Sequence, residues 1–320
     1  MNDLSDQRES TDDGLISVVM PCYNAAPFLA EAVDCVLNQT YPNIELIVID
    51  DGSTDGSLEL LRDYGDRIKL LTQNNKGPYP ARNEGLAHAK GEFVAFLDAD
   101  DWWTPDALEK LHAALIGQDS DIAYCGWQNV GEVMQGEPYV PPEYENEDAV
   151  AHFVRTCPWA IHAALVRRDL VSRLGGFSTR RYSSMDYDFW LRALSSGARI
   201  KRVPEVLAFY RWHGSGQVSA VKWRQVLDAL AAQQDFIREN PELVSHLTKK
   251  HLLDLTEGKV LRQAYRAFWK RDLVSSQRLF RHAAASRAFK LADLRHVVSA
   301  LLPTPVYRWI VEKVDGRRAV

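Results

Sequence analysis

A chain of 320 residues with 46% hydrophobic and 25% charged side chains has enough apolar material for one large or two smaller cored domains, and it lacks the bias of a disordered or fibrous protein. No uninterrupted apolar run approaches the roughly 20 residues a membrane span requires, and Cys22, Cys35, Cys125 and Cys157 lie too far apart for a CxxC zinc site or a disulfide framework, which suits a reducing cytoplasm. The net charge of −5 conceals a break: residues 1 to 220 carry 19 Lys and Arg against 33 Asp and Glu, whereas residues 221 to 320 carry 19 against 10, so the first part is too acidic to favour nucleic acid.

Residues 1 to 14, MNDLSDQRESTDDG, are polar and acidic with no apolar segment, and read as a disordered tail rather than a signal peptide. From 15 to 130 short β-rich runs alternate with helical patterns: LISVVMP then FLAEAVDCVLNQ, IELIVIDD then SLELLRDYG, IKLLTQ then ARNEGLAHAK, EFVAFLDAD then PDALEKLHAAL, and finally IAYCGWQNV. Repeated βα of this kind predicts a mostly parallel sheet covered by helices on both faces. Residues 131 to 160 turn to Gly, Pro and acids, which predicts a long surface excursion. AALVRRDLVSRLGGF follows, then MDYDFWLRALSSG as a short helix ending at Gly197, then ARIKRVPEVLAFYRWH as extended chain. Beyond 221 the pattern is helical throughout, which sets a second, all-helical region at 221–320 beside a first at 15–220.

Two of the strands end in carboxylates. IELIVIDD closes on Asp50 and Asp51, and FVAFLDADD closes on Asp98, Asp100 and Asp101. Ligands of open α/β sheets sit beyond the carboxyl ends of the strands, so these acids stand where a ligand reaches them. An Asx-turn with a helix cap uses only one acid of the first pair. An apolar strand that ends in several acids wants a cation, and a few hard oxygen ligands suit Mg²⁺ or Mn²⁺ also held by substrate phosphates. Neither GxGxxG nor GxxxxGK[ST] follows any strand, so bound phosphates must be held by metal and side chains.

Four blocks, in order, carry a resemblance: SVVMPCYNAAPFLAEAVDCVLNQTYPNIELIVIDDGSTDGS, KGPYPARNEGLAHAKGEFVAFLDADDWWTPDAL, LGGF and MDYDFWLRA. Over about residues 15 to 215 the chain resembles the family 2 inverting glycosyltransferases. That resemblance implies the GT-A fold, a Rossmann-like mixed and mostly parallel sheet flanked by helices. It implies a nucleotide-sugar donor, most simply UDP-linked, and hexosyl or N-acetylhexosaminyl transfer to a glycan or lipid-linked acceptor. Pro21 and Tyr23 would border the nucleobase, Asp51 would bond base or ribose, Arg82 would lie near the base, and Asp98 would face the ribose. Asp100 would hold Mn²⁺ or Mg²⁺ on the diphosphate, and Asp186 would be the catalytic base. Asp50 then serves the turn.

Inverting transfer needs a carboxylate to take the acceptor's proton while a cation stabilises the departing diphosphate. Asp186 and Asp188 precede the amphipathic helix of MDYDFWLRA, whose N-terminal dipole favours anions, although an N-cap is a competing role for Asp186. Members of the family usually carry Glu before this Asp, and Met185 replaces it, which puts the acceptor in question. His213 is either a third metal ligand or diphosphate contact, or an ordinary loop residue, and Arg211 pairs with phosphate or with a surface acid. Trp102, Trp103, Trp159 and His162 are candidates for sugar contacts, with packing as the alternative. Met185 leaves open a non-catalytic sugar-nucleotide-binding or scaffold protein of the same fold. Nucleotidyl transfer, a second rival, would want a Gly-rich basic loop after the first strand, and PCYNAAPF has none.

The second region holds a helical hairpin at 256–288, read as a packed appendage, a repeat-like pair or a basic membrane-surface element. From about 290 onward apolar residues recur at helical spacing among Arg295, Arg308, Lys313, Arg317 and Arg318, and Pro303 and Pro305 divide the run. These segments are too short to span a bilayer but suit a peripheral contact with the inner face of the membrane; an oligomer contact is the other use.

Overall fold

The computed structural model describes residues 12–131, 135–212 and 222–315. The expected tail up to residue 11 and His213 lie outside the described residues. In chain order the elements are β1 (Asp12–Cys22), α1 (Ala26–Leu37), β2 (Ile44–Asp50), α2 (Ser57–Asp63), β3 (Lys69–Thr72), α3 (Pro78–His88), β4 (Gly91–Phe96), β5 (Trp102–Trp103), α4 (Ala107–Gly117) and β6 (Ile122–Val130). There follow α5 (Ala149–Arg155), β7 (Ala164–Arg167), α6 (Arg168–Arg173), α7 (Met185–Ser195), β8 (Ile200–Arg211), α8 (Lys222–Glu239), α9 (Lys249–Leu255), α10 (Glu257–Trp269), α11 (Leu273–Ser286), α12 (Leu294–Leu301) and α13 (Thr304–Asp315). The described residues fall into two compact units that interleave along the chain. One is drawn from Met1–Asp148, Pro158–Thr179 and Ser196–Gly214, the other from Ala149–Cys157, Arg180–Ser195 and Ser215–Val320.

The first unit is built on an eight-stranded sheet of order β3-β2-β1-β4-β7-β6-β8-β5. Strands β3, β2, β1 and β4 are parallel, as the βα repeats predict, and Ile16, Val18, Val19, Ile47, Val48 and Ile49 are completely buried along them. A strand that is apolar on both faces needs a cover on each, and the intervening helices supply it. The repeat then breaks. β7 inserts antiparallel between β4 and β6, pairing Ala95 with Leu165 on one side and Ala123 with Leu165 on the other. β6 and β8 are parallel, and Trp102 and Trp103 form a short edge strand antiparallel to β8 rather than a solvated loop.

Helix α3 lies very close to the sheet at Gly85, where an added Cβ would meet Val19 Cγ1 at 2.4 Å and Ile49 Cδ1 at 2.7 Å. No larger residue fits there, and the close approach carries Arg82, one turn earlier, toward the strand ends. The LGGF block docks on the same helix. Asn83 donates through Nδ2 to the Phe177 carbonyl and accepts from the Phe177 N–H, both at 2.8 Å. Gly176, at φ +69 with Asn83 Oδ1 2.6 Å from where a Cβ would stand, has to be glycine.

Residues 131 to 160 are less of a surface excursion than composition suggests. Tyr139 bridges back to Trp127, Tyr144 is 3% exposed, and Trp159 stacks on Tyr124 at 4.4 Å. The Tyr124 hydroxyl donates to Glu145 Oε2 at 2.7 Å. Tyr144 and Trp159, set in that acidic text, return to the core, while Tyr139 stays exposed.

The second unit is all helical. Leu230, Val260, Ala264, Phe268, Leu279 and Phe280 form its core together with residues of α12 and α13, and α10 and α11 pack as the expected hairpin. Among the described residues no helix is long and apolar enough to cross a membrane.

Candidate active site

The loops that leave β1 and β2 hold each other. The Asn24 N–H donates to Ser53 Oγ at 3.0 Å, Ala25 N–H to Ser57 Oγ at 3.0 Å and Ala26 N–H to Asp55 Oδ2 at 3.0 Å, while Asn24 Oδ1 accepts from the Thr54 N–H at 2.8 Å. The polar run GSTDGS therefore orders the PCYNAAP loop, and Asn24 takes a left-handed φ of 51 to fit it. Pro21 is buried opposite Ile49, and Tyr23 at the loop's tip is 52% exposed, so its ring has an open face.

Asp50 and Asp51 are both 2% exposed and have separate partners. Asp50 Oδ2 accepts from the Ser53 N–H at 3.3 Å, which is the turn role expected of it. Asp51 is the more heavily engaged. Its Oδ1 accepts from Gln73 Nε2 at 2.6 Å and from the Lys76 N–H at 2.9 Å, and its Oδ2 accepts from the Gly77 N–H at 2.8 Å. These bonds fix residues 73–77, the approach to α3. A carboxylate oxygen takes two donors, so Oδ2 keeps one lone pair for a further one.

Arg82, on α3, is 3% exposed and is paired with Asp98 by a short charge-assisted bond from Nη2 to Oδ1. Its guanidinium also lies over the rings of Tyr79 at 5.4 Å and Phe177 at 5.8 Å. The Asp98 side chain remains 28% exposed, so the pair opens on one side.

Asp98 to Asp101 form a turn rather than a strand end, closed by the Asp101 N–H donating to the Asp98 carbonyl at 3.0 Å. Arg211, the last residue of β8, clamps this turn. Its N–H donates to Asp101 Oδ1 at 2.8 Å and its Nε to the Asp100 carbonyl at 2.8 Å. The same guanidinium pairs with Glu31 Oε2 at 2.5 Å and stacks over Trp102 at 4.4 Å. Of the two partners expected for Arg211, the surface acid is present.

Asp101 and His162 are fully buried, with Asp101 Oδ2 3.3 Å from His162 Nδ1. Burial, reinforced by the charges of Asp100 and Asp98, pushes the Asp101 carboxyl well above the usual range. Burial pushes the His162 imidazole down to about 4. Trp103 is buried too, and its Nε1 donates to the His162 carbonyl at 2.6 Å. Trp103, Trp159 and His162 are thus buried, and His162 with Trp103 backs the turn at Asp101.

Among the described residues no group of three or more His, Cys, Asp or Glu side chains converges as a ready-made metal cage. The residues nevertheless fit a cation that a ligand also holds. Three carboxylates fall within four positions, and the Asp98 side chain stays 28% exposed, which suits a cation that takes few hard oxygen ligands from protein and the rest from phosphate.

In the second unit, Ser184 precedes α7 with a left-handed φ of 59, so Asp186 lies inside the first turn rather than at the cap. Asp186 is half-buried where the helix dipole favours an anion. Asp188 is held by three arginines: Arg192 Nε at 2.9 Å, Arg180 Nη2 at 3.6 Å and Arg181 Nη1 at 3.8 Å. Met185 is completely buried, so it serves this packing. Sequence reasoning passed over Gln73 and Glu31, whose partners Asp51 and Arg211 are distant in the chain.

A model of the family described as glycosyl transferase family 2 matches residues 17–174. The chain is 32% identical over 193 residues to an uncharacterised glycosyltransferase of Rickettsia typhi, covering 58% of this chain and 61% of that one, less than two thirds of the relative's length. It is 30% identical over 259 residues to the UDP-Glc:alpha-D-GlcNAc-diphosphoundecaprenol beta-1,3-glucosyltransferase WfgD of Escherichia coli, covering 78% of this chain and 99% of that one. The crystal structure of S. aureus TarS 1-349 in complex with UDP-GlcNAc superposes with a TM-score of 0.62 at 21% identity, over 90% of this chain and 79% of that one, which shows the shared GT-A fold. The matched blocks and the sheet that carries them lead to one conclusion: the chain belongs to glycosyl transferase family 2.

Proposed function

We propose that the chain moves a sugar, with inversion, from a UDP-sugar to a hydroxyl of a glycan or lipid-linked acceptor in bacterial surface-polysaccharide assembly. The observation that carries this reading is the acidic turn Asp98–Asp101 clamped between Arg82 and Arg211 beside the pinned Asp51. The donor and the lipid-linked acceptor in the name of the E. coli relative support it. In this reading Tyr23 and Pro21 border the base, Asp51 accepts a donor from base or ribose on Oδ2, and Arg82 fixes Asp98 toward the ribose. Asp100 holds Mn²⁺ or Mg²⁺, with His213 as a further ligand, and the ion's chemistry is to neutralise the leaving diphosphate. Asp186 takes the acceptor's proton. The enzyme works on the cytoplasmic face of the membrane, held there through residues 290–320.

Titrating UDP against the protein with and without Mn²⁺ tests the site. Asp100→Asn, which removes the charge but keeps the shape, should abolish transfer and weaken Mn²⁺-dependent UDP binding by about tenfold or more. Unchanged metal dependence in the variant would overturn the assignment. UDP-sugar binding by the wild type without any turnover would favour the non-catalytic alternative raised by Met185.

A further inference from the structure

Helices α12 and α13 have an inner face that is fully used. Val297, Ala300, Tyr307 and Val311 enter the helical core, and the Tyr307 hydroxyl shares a hydrogen bond with Ser276 Oγ at 2.6 Å. Gln277 and Arg281 on α11 donate to the Ala300 carbonyl at 3.1 and 2.7 Å, so the end of α12 is pinned in place.

A second set of apolar side chains, on the same two helices and the turn that leads into α12, enters no core. Leu291 is 85% exposed, Val298 55%, Leu301 58% and Trp309 60%, with Leu294 and Val306 also in the open. Leu294, Val298 and Leu301 recur at i, i+4 and i+7, which makes one line down α12, and Leu291 extends it by a turn. On α13, Val306, Trp309 and Lys313 recur at i, i+3 and i+7, on the side of the helix away from buried Tyr307 and Val311. Exposed apolar residues scattered singly need no explanation; a continuous series from 291 to 309 does.

Charge selects the occupant. Between residues 287 and 318 Lys and Arg outnumber Asp and Glu seven to three, and one of those acids, Asp293, is committed to the Tyr265 hydroxyl at 2.7 Å and the Lys290 N–H at 2.8 Å. Arg295, Arg308 and Lys313 are exposed beside the apolar series. In a contact with a second copy of this chain, a two-fold axis would bring these cations toward one another. An anionic bilayer takes both features at once, apolar side chains at the acyl boundary and cations on the phosphates. At 8 and 12 residues the helices are too short to cross it and suited to lie in its plane.

We propose that α12 and α13 form a docking surface for an anionic lipid bilayer, with the Leu291–Leu301 line and Val306–Trp309 inserted at the headgroup boundary and Arg295, Arg308 and Lys313 on the phosphates. The inference rests on the reading of a membrane-held acceptor and identifies the surface that meets the lipid. The experiment floats the full chain with vesicles of phosphatidylglycerol and phosphatidylcholine, and with phosphatidylcholine alone. The wild type should float with the anionic vesicles only, and raised salt should weaken the attachment. Leu294→Ser, Val298→Ser and Leu301→Ser together should lower partitioning about a hundredfold, and Trp309→Ser alone about tenfold. Arg308→Glu with Lys313→Glu should do the same for the anionic vesicles. These side chains are exposed, so melting temperature and UDP affinity should stay at wild-type values. Variants that float like the wild type, or a wild type indifferent to anionic lipid, would overturn the proposal. Loss of a dimer on size exclusion with no change in flotation would assign the face to a second copy instead. Flotation as expected from a protein that binds no UDP would leave the docking surface standing and sink the transferase reading.

Discussion

Asp186 and Asp188 lie two residues apart on the first turn of α7, and replacing each by Asn should fail in opposite ways. Asp188 is 5% exposed and has Arg192, Arg180 and Arg181 within 4 Å, so Asp188→Asn removes the carboxylate these guanidinium groups share, although Arg181 keeps its bond to Asp235. Breaking a buried ion pair costs about 3–5 kcal/mol, but Arg180 is 59% exposed and Arg192 27%, so water recovers part of the loss. About 2–3 kcal/mol remains, a fall in melting temperature of about 5–10 °C for a domain of this size. Asp186 is half-buried and one residue inside the helix, where Asn keeps its volume and its polarity. Asp186→Asn, which gives up only the favourable helix-dipole contact of an anion, should therefore lose much less melting temperature than Asp188→Asn and bind UDP normally, while kcat falls by about a hundredfold or more because an amide cannot accept the proton. Thermal melting, UDP calorimetry and release of UDP from the donor, measured on both variants, separate the cases. A melting loss in Asp186→Asn as large as in Asp188→Asn, or retained turnover, would refute the assignment of the base.

Arg211→Lys keeps the charge but loses the Nε bond to the Asp100 carbonyl and the stacking over Trp102, so UDP affinity in the presence of Mn²⁺ should fall about tenfold; an unchanged Kd would show that charge alone matters there. The His162 imidazole, pushed down to about 4 by burial, stays neutral in the fold while the unfolded chain takes up a proton below pH 6.5. The unfolded state thus binds more protons in that window, and stability should fall by about 2–3 kcal/mol as pH drops from 6.5 to 4. The raised Asp101 carboxyl acts in the opposite sense, so the comparison is between wild type and His162→Gln, whose chemical-denaturation midpoints should converge at low pH; parallel pH slopes would exclude the imidazole as the cause.

The parallel half of the sheet is legible because strands such as IELIVI are apolar on both faces and each is followed by a helical pattern. The direction of β7 is not legible. ALVR has the composition of any short strand, and its place between β4 and β6 is set by partners about 40 and 70 residues away in the chain. The burial of Tyr144 and Trp159 was hidden for a related reason: an acidic, proline-rich stretch dominates the local composition, while the ring contacts with Tyr124 that draw them inward are tertiary. At the site, the identities of Asp51, Asp98, Asp100 and Arg82 stand out in the sequence, but their partners do not. Gln73 lies outside the matched blocks, and Lys76 and Gly77, which open the second block, hold Asp51 through backbone N–H groups that no side-chain pattern announces.

The turn Asp98–Asp101 shows why those partners matter. Three carboxylates in four residues repel one another, and the fold separates their tasks. Asp98 is neutralised by a buried arginine that two aromatic rings hold in place, and Asp101, whose carboxyl is pushed by burial well above the usual range, accepts the Arg211 N–H. Arg211 takes the carbonyl of Asp100, which fixes the backbone of that residue while its guanidinium stays on Glu31 and Trp102. The Asp100 carboxylate is thereby carried on a turn clamped from both sides. A metal ligand that is to share its cation with a diphosphate needs that fixed position more than it needs further protein ligands, because the phosphates complete the coordination. That need also explains why the arginines around the turn, and not only its acids, should govern UDP affinity.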